Sequence, residues 1–565
     1  MKSFLKFAFA ISAVAVMFSS CSKSSDEGAM IPSNAMFVSH IDMKSMGQKV
    51  SWDDIKQTSW YKKASSDSST PDWRKKILDN PASSGIDFDK GLIFFAQKGT
   101  GSDFHLVVEG SLKSEKDFEQ FNKNFDPAQT VRKEGSVNLL TLKDKNVVGW
   151  DGSHFVYTMN SSTTSSELYK WNQNKDAQPN AEPTDNSAEL SAYCVKLFSL
   201  KSDSSLAKNE KFAALLNEKG DLHFWQNTEE IVKSVPNMGM LGMLKMDAFF
   251  KDNVSAYTVN FDNGKIEVDQ KGYASKELTD LLKSQMNGKV NNDMIKDIPS
   301  QNVFAVLATS FKPGTLVALL KLAGVDGVLN TYAQQMGFSL DDFSKATNGN
   351  MMLALSDFKM NADSFNYKDD SGNEIGSGKF NKPNLNFIFS VGIGDKASLQ
   401  KIIGAGKTLS TQMGKDSLFQ ENMNDKRLAF SNTPDLAKQY LAGNNSKYDF
   451  TDKITGHPIG LYFDFHKVLS ELSTSKSNDS NDNAMLDQGL KMWNNVIITG
   501  GDFKDGAFTA KADVNLVDAK TNSLKQLNTY IDEMFKLAQA SKASSHEKKL
   551  DSLLTPPPID TVKVK

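Results

Sequence analysis

The chain has 565 residues, 65 Lys and Arg against 68 Asp and Glu, a formal net charge of −3 and a sequence pI near 6.2. With 39% hydrophobic and 10% aromatic residues it can fill ordinary cores, which excludes global disorder, and its balanced charge without a basic cluster speaks against nucleic acid as a partner. Two cysteines, Cys21 and Cys194, exclude a disulfide framework.

Lys2 and Lys6 open the chain with positive charge. Residues 7–17 form an apolar run too short for a membrane-spanning helix, which needs about 20 residues. Phe18-Ser19-Ser20-Cys21 closes the run with small residues just before a cysteine. This pattern resembles a bacterial lipoprotein signal peptide, which implies cleavage before Cys21 and lipidation of it. The other reading is a conventional secretory signal in which Cys21 is incidental. Residues 22–30 are a polar tether. Within it, Asp26 and Glu27 resemble the acidic export signal of surface lipoproteins in Bacteroidota-type bacteria, although a solvated linker accounts for them as well. The expectation is a cell-envelope protein at the outer membrane, facing periplasm or cell surface, held to the membrane by the lipid on Cys21.

Ile31-Pro32-Ser33 opens a strand–helix unit, with Asp42 where strand gives way to helix. Residues 62–74, rich in Ser and Asp, read as a loop. Strands follow at Leu92–Ala96 and Phe104–Val108, then a helix with Ser114 as cap and Phe118 and Phe121 on one face. Residues 160–188 read as a polar surface excursion. Cys194, in an apolar stretch, reads as a small buried hydrophobe.

The order then recurs. Ile298-Pro299-Ser300 opens a second strand, and Leu385–Phe389 with Asp395, Leu399 and Ile402 matches Phe104–Val108 with Ser114, Phe118 and Phe121. The turn at Leu142–Val147 aligns with Met423–Leu428 in one gapless register. Phe224–Ile231 parallels Leu461–Val468, and each half closes with a hairpin, at Asp262-Asn263-Gly264 and Lys504-Asp505-Gly506, before an amphipathic helix. The second half carries insertions at 366–382 and 473–485, and the chain loses periodicity after about Ser541. The expected organisation is a signal (1–21), a tether (22–30), two tandem α+β halves related by duplication (31–290 and 291–540) and a disordered Pro/Lys tail (541–565). This layout resembles the uncharacterised lipoprotein families of Bacteroidota-type bacteria that carry a domain of unknown function. The resemblance implies localisation and architecture, but no catalytic residues and no cofactor.

Motifs for chemistry are sparse. No Gly-x-Ser-x-Gly elbow occurs, and Lys415-Asp416-Ser417-Leu418 lacks the leading glycine of the esterase motif it partly matches. The seven histidines are scattered, with His40 and His105 in strand patterns. Asp464 and His466 form the closest constellation, since alternate strand residues face one way. Asp464 nevertheless falls where Asp42, Asn227 and Thr309 fall, at a strand end before a helix, which favours a cap. Residues 369–374 and 479–483 are oxygen-rich but lack the calcium-loop pattern. Gly392-Ile393-Gly394-Asp395-Lys396-Ala397 follows the dinucleotide fingerprint, yet its counterpart at 111–116 has no such glycines, so a strand–turn–helix is expected. The seven tryptophans are expected mainly in cores, with Trp171 in a polar stretch.

The reading is a non-enzymatic binding or structural envelope protein, using a surface or the cleft between halves for an envelope protein or glycan partner. No catalytic, cofactor or metal residue is assigned. An envelope hydrolase or enzyme accessory is one alternative. A glycan-binding lipoprotein, which requires exposed aromatics, is another.

Overall fold

The computed structural model describes residues 28–66, 72–100, 103–125, 127–142, 145–160, 185–234, 247–368, 374–412, 420–433, 435–475 and 480–554. Among them it is an α+β protein: helices pack on one antiparallel sheet of 18 strands.

In the first half the strands are β1 (Phe37–Ile41), β2 (Leu92–Lys98), β3 (Phe104–Ser111), β4 (Arg132–Glu134), β5 (Val137–Thr141), β6 (Val147–Trp150), β7 (His154–Asn160), β8 (Leu222–Asn227), β9 (Val254–Asp262) and β10 (Lys265–Tyr273). Strand β1 lies between β2 and β8. The sheet continues through β3, β7, β6, β5 and β4 on one side and through β9 and β10 on the other.

The second half contributes β11 (Val303–Ser310), β12 (Thr347–Lys368), β13 (Glu374–Ile393), β14 (Gln420–Met423), β15 (Arg427–Ser431), β16 (Ile459–Asp464), β17 (Trp493–Lys504) and β18 (Ala507–Leu516). Here β11 lies between β12 and β16, with β13, β15 and β14 on one side and β17 and β18 on the other. Ile31 and Ile298, from the two Ile-Pro-Ser segments, are both in cores, at 0% and 1% exposure. Trp225 of β8 and Tyr462 of β16 point into the same two cores.

The halves meet strand to strand. Lys265–Gly272 of β10 pairs with Phe508–Asn515 of β18, so a ladder stands where the sequence reading placed a cleft. The terminal helices cross this junction. Asn522 Nδ2 donates to the Phe261 carbonyl (2.7 Å), and the long helix Ser523–Leu554 runs back over the first half, where Asp532 accepts from Ser59 N (2.5 Å). In the other direction, the Gln285 carbonyl that ends helix Lys276–Gln285 accepts from Lys312 N (2.9 Å).

The two faces of the sheet differ because strand residues alternate. On one face an apolar row passes through neighbouring strands: Leu222, Val259, Val268, Ala512, Ile498, Leu461, Leu307, Leu353, Phe389 and Phe430. On the other face, at the junction, Lys265, Glu267, Asp269 and Lys271 sit opposite Asn515, Asp513, Lys511 and Thr509. Lys511 reaches Glu267 at 2.7 Å, and Lys265 and Lys511 together hold the Glu267 carboxyl down at about 2. Such cross-strand pairing favours this register over one shifted by a residue, which would turn the charges onto the apolar face.

Several sequence expectations change. Residues 62–74 are largely helical: helices Ser59–Ser66 and Asp72–Asp79 occupy the described part, and Tyr61 and Leu78 bury against Trp52. The gapless register fails after β3. His154 of β7 stands opposite Ser111, as Arg427 of β15 stands opposite Gly392, so β7 and not β6 holds the matching place. Two Asp-Lys turns resembled each other in sequence without being equivalent in space. Likewise Ser310, not Thr309, matches Asp42, since their backbone N–H groups donate to Pro458 and Asp221 carbonyls. The next helix begins only at Thr315, after Gly314, which makes no side-chain cap.

The insertion near 366–382 is a ribbon. Beyond Ser356 and Asn386, β12 and β13 pair only with each other, out to Lys368 and Glu374. Asp357 ties its base, accepting from Ser300 (2.8 Å), Ser356 (2.9 Å) and Asn386 (3.1 Å). The last helix runs to Leu554, past the fading of periodicity near Ser541, because Ala, Lys, Glu and Leu there favour helix without an apolar stripe. Residues 161–184 of the polar excursion and 555–565 of the tail lie outside the described residues.

Candidate functional site

The expected site residues do not converge. Strand β16 ends at Asp464, so strand alternation does not carry through to His466. Asp464 is buried and caps helix Phe465–Thr474, accepting from Lys467 N (2.8 Å) and from the Tyr462 hydroxyl (2.8 Å). His466 lies in the first turn of that helix with its side chain exposed. Asp42, Ser114, Asn227 and Asp395 act in the same way, each accepting from a backbone N–H three residues on. Cys21 and Ser417 lie outside the described residues, as do Asp369 to Asn373; Asp482 lies within helix Ser480–Met492 and not in a loop.

The glycine fingerprint has a packing cause. A Cβ at Gly392 would stand 2.1 Å from Asn348 Oδ1, and one at Gly394 would stand 2.4 Å from the Lys345 carbonyl. The N–H groups of Gly394 and Asp395 already donate to the carbonyls of Ala346 and Lys345, so they are not turned toward a phosphate. Trp52, Trp150 and Trp225 are buried and Trp60 and Trp493 partly so. These supply no exposed aromatic platform; Trp171 lies outside the described residues. Among the described residues no group of three or more His, Cys, Asp or Glu is placed to hold a metal ion.

His40 and His105 are more deeply buried than half-exposed strand positions would be. His40 Nδ1 meets His223 Nδ1 at 3.0 Å across β1 and β8, and His105 Nε2 meets Glu189 at 3.2 Å. Burial, with His223 beside it, pushes the His40 imidazole down to about 3.

Cys194 is enclosed by the first core, and burial pushes its thiol up to about 12. Thiol reactivity requires the thiolate. We therefore expect Cys194 to resist iodoacetamide in the native chain at pH 8 and to label on unfolding. Peptide mapping reads this, and equal labelling in both states would contradict the burial.

A cleft of about 280 Å³ opens in the second half, at the rim of the sheet. The segment Val290–Met294 forms one wall, pinned by Val290 N donating to the His457 carbonyl (2.8 Å). Thr309 near the end of β11, Asn348 and Asn350 at the start of β12, Ile393 at the end of β13 and the turn Asp425–Arg427 complete it. Gly349 makes the entry into β12 attainable: its φ is +90° and a Cβ would lie 1.6 Å from the Phe311 carbonyl oxygen. A second hollow of about 350 Å³ shares the same turn and is lined also by Asp297 and Leu441–Gly443.

Arg427 lines both. Its guanidinium donates to Asp297 (2.7 Å) and to the Asp293 carbonyl (2.7 Å), and lies 5.7 Å from the Tyr440 ring. The sequence reading placed Arg427 only in a hairpin. Its partner Asp297 sits just before the Ile-Pro-Ser segment, a long-range pairing that no local pattern encodes.

The fold and this cleft define an α+β protein built on one continuous sheet, with a small polar recess in its second half. Residues 28–368, more than half of the chain, match the family described as Domain of unknown function (DUF4836), and the chain belongs to that family. No curated protein and no solved structure matches it. Among the described residues no helix is long and apolar enough to cross a membrane.

Proposed function

We propose that the chain is a lipid-anchored cell-envelope protein of the Bacteroidota lipoprotein type, with a binding or structural role and not a catalytic one. The observation that carries this reading is the signal-like start, in which a short apolar run closes on Ser19-Ser20-Cys21. The lipid on Cys21 fixes the protein at the outer membrane, and the two halves, copies of one ancestral unit, form a stiff body that presents surfaces to an envelope protein or glycan. The repeated Ile-Pro-Ser openings and the shared strand orders support the duplication. The continuous β10–β18 ladder supports stiffness, since domains joined by small polar interfaces are the ones that move freely.

The test is metabolic labelling with an alkyne fatty acid in native cells. Label on the chain that disappears in Cys21→Ala is the expected result. An unlabelled wild-type chain, or one released to the soluble fraction, would overturn the anchor. Cross-linking in the same cells, with Cys21→Ala as the mislocalised control, then identifies the partner.

A further inference from the structure

We propose that the open apolar face of the sheet binds the long acyl chains of a separate membrane lipid. The proposal goes beyond the binding role above and does not depend on the lipid at Cys21. Its floor is the apolar row that crosses ten strands from Leu222 to Phe430. The opposite face of these strands is closed, with Trp225, Ile388, Tyr462 and Ile497 in the two cores. The row itself keeps solvent contact along its whole length, since none of its ten side chains is buried. Leu307, Leu353 and Phe389, side by side on β11, β12 and β13, are 36–39% exposed. Phe224, two residues from Leu222 on the same face, is 40% exposed. Single exposed leucines are ordinary, but a contiguous apolar patch marks a binding surface.

Shape and charge choose the occupant. Neighbouring strands stand about 4.8 Å apart, so the strip is about 43 Å long. The acyl chains of one leaflet span about 15 Å, half of the hydrocarbon core, and lie within it. Neither this row nor the parallel row from Phe224 to Leu428 contains a charged residue. A protein partner brings a polar rim that needs answering groups, and an extended peptide brings N–H and C=O groups that the strip would leave unpaired; a hydrocarbon chain brings neither. A second copy is held off by the borders. On one, Phe465 of helix Phe465–Thr474 packs on Phe463, with ring centroids 4.8 Å apart; on the other, Leu399 of helix Lys396–Gln412 packs with Leu428. Facing sheets pack about 10 Å apart and a helix is itself about 10 Å thick, so the bordering helices of two copies would collide. The tether does not lead to the row either. Cys21 lies seven residues before Gly28, a reach of at most about 25 Å. Gly28 packs against Phe212, beneath Trp225, on the face turned away from Phe224.

The test incubates the full chain with vesicles of phosphatidylethanolamine and phosphatidylglycerol that contain a trace of phosphatidylethanolamine with a diazirine in its acyl chain. After illumination, adducts are mapped by peptide mass spectrometry. Adducts on β11, β12, β13 and β16 are expected, in wild type and in Cys21→Ala alike. Their yield should fall at least tenfold in Leu307→Glu and in Leu353→Glu, with Tm within a few degrees of wild type because both side chains are already exposed. Phe365→Ser, which removes an exposed aromatic of the ribbon away from the row, should leave the yield unchanged. No adducts on these strands, or a yield that all variants share, overturns the proposal. So does a Glu variant that melts well below wild type, since the row would then be packed and not open. Adducts confined to Cys21→Ala would make the chain's own lipid the occupant, and a concentration-dependent dimer that Leu353→Glu dissociates would make it a second copy; either overturns the proposal. The alkyne labelling of Cys21 is unaffected by all of these outcomes.

Discussion

Arg427→Ala is expected to destabilise the second half by about 2–3 kcal/mol, less than the cost of breaking a deeply buried ion pair because both side chains keep some solvent contact. Tm should fall by on the order of 10 °C. The cause is not only the lost charge. Arg427 and Asp297 are 15% and 13% exposed at their side chains, and the guanidinium also caps the Asp293 carbonyl. Asp297 in turn accepts from Asn444 N (3.4 Å), so one carboxylate joins the segment before β11 to the loop after helix Leu436–Ala442. Removing the arginine leaves that carboxylate, at the wall of the second hollow, with the Asn444 N–H as its remaining hydrogen-bond donor within the described residues. The double variant Arg427→Met with Asp297→Leu should recover most of the loss, because matched apolar groups leave nothing unpaired. Calorimetric melting of wild type, both single variants and the double variant gives the coupling directly. Single-variant losses that simply add would mean the two residues act independently, and the account fails.

What the sequence made legible follows the reach of each interaction. Asp42, Ser114, Asn227, Asp395 and Asp464 were readable as caps because a cap needs only its own side chain and an N–H three residues away. The closing hairpins were readable because Gly264 (φ +68°) and Gly506 (φ +80°) sit in the left-handed region the turns demand. The α+β class followed from these units. Their neighbours in space were not readable. Pairing of β10 with β18 joins segments almost 250 positions apart, and nothing within either strand names the other. The shift between Thr309 and Ser310 is a one-residue difference in register, below what matching apolar patterns can resolve, yet it decides which side chain lines the cleft. Asn348 and Asn350 were invisible as site residues for a similar reason: Asn-Gly-Asn reads as a turn, and only long-range pairing with Ser310 of β11 and Ile393 of β13 sets it at the cleft.

Stability should also fall as pH drops from 6.5 to 4.5, by about 1.4 kcal/mol per pH unit, through His40. Burial holds its folded-state imidazole near 3, well below the ordinary 6.5 of an unfolded chain. The sign follows directly. Above 6.5 both states are neutral and the contribution is fully present. Below 6.5 the unfolded chain takes up a proton that the folded chain refuses, so stability is lost progressively down to about 3. The surroundings do not relieve this. His223 meets His40 at Nδ1, its own Nε2 lies 3.2 Å from the Glu218 carbonyl, and the Glu218 carboxylate is occupied by Thr258 (2.7 Å) and Lys271. Gly91 leaves the room the ring needs, since a Cβ there would stand 2.2 Å from His40 Nε2. Carboxylates held low, such as Glu267, act in a lower window. Their contribution is complete above about 4.5 and is lost as pH falls toward about 2, so it does not overlap the upper range. Urea unfolding at half-unit steps between pH 2.5 and 7 covers both, with the range from 6.5 to 4.5 reporting His40 alone. His40→Gln should flatten the dependence by about one proton from 6.5 down to about 3, leaving the carboxylate contribution alone below 4.5. Equal slopes in the two chains between 6.5 and 4.5 would assign the acid sensitivity to some other group.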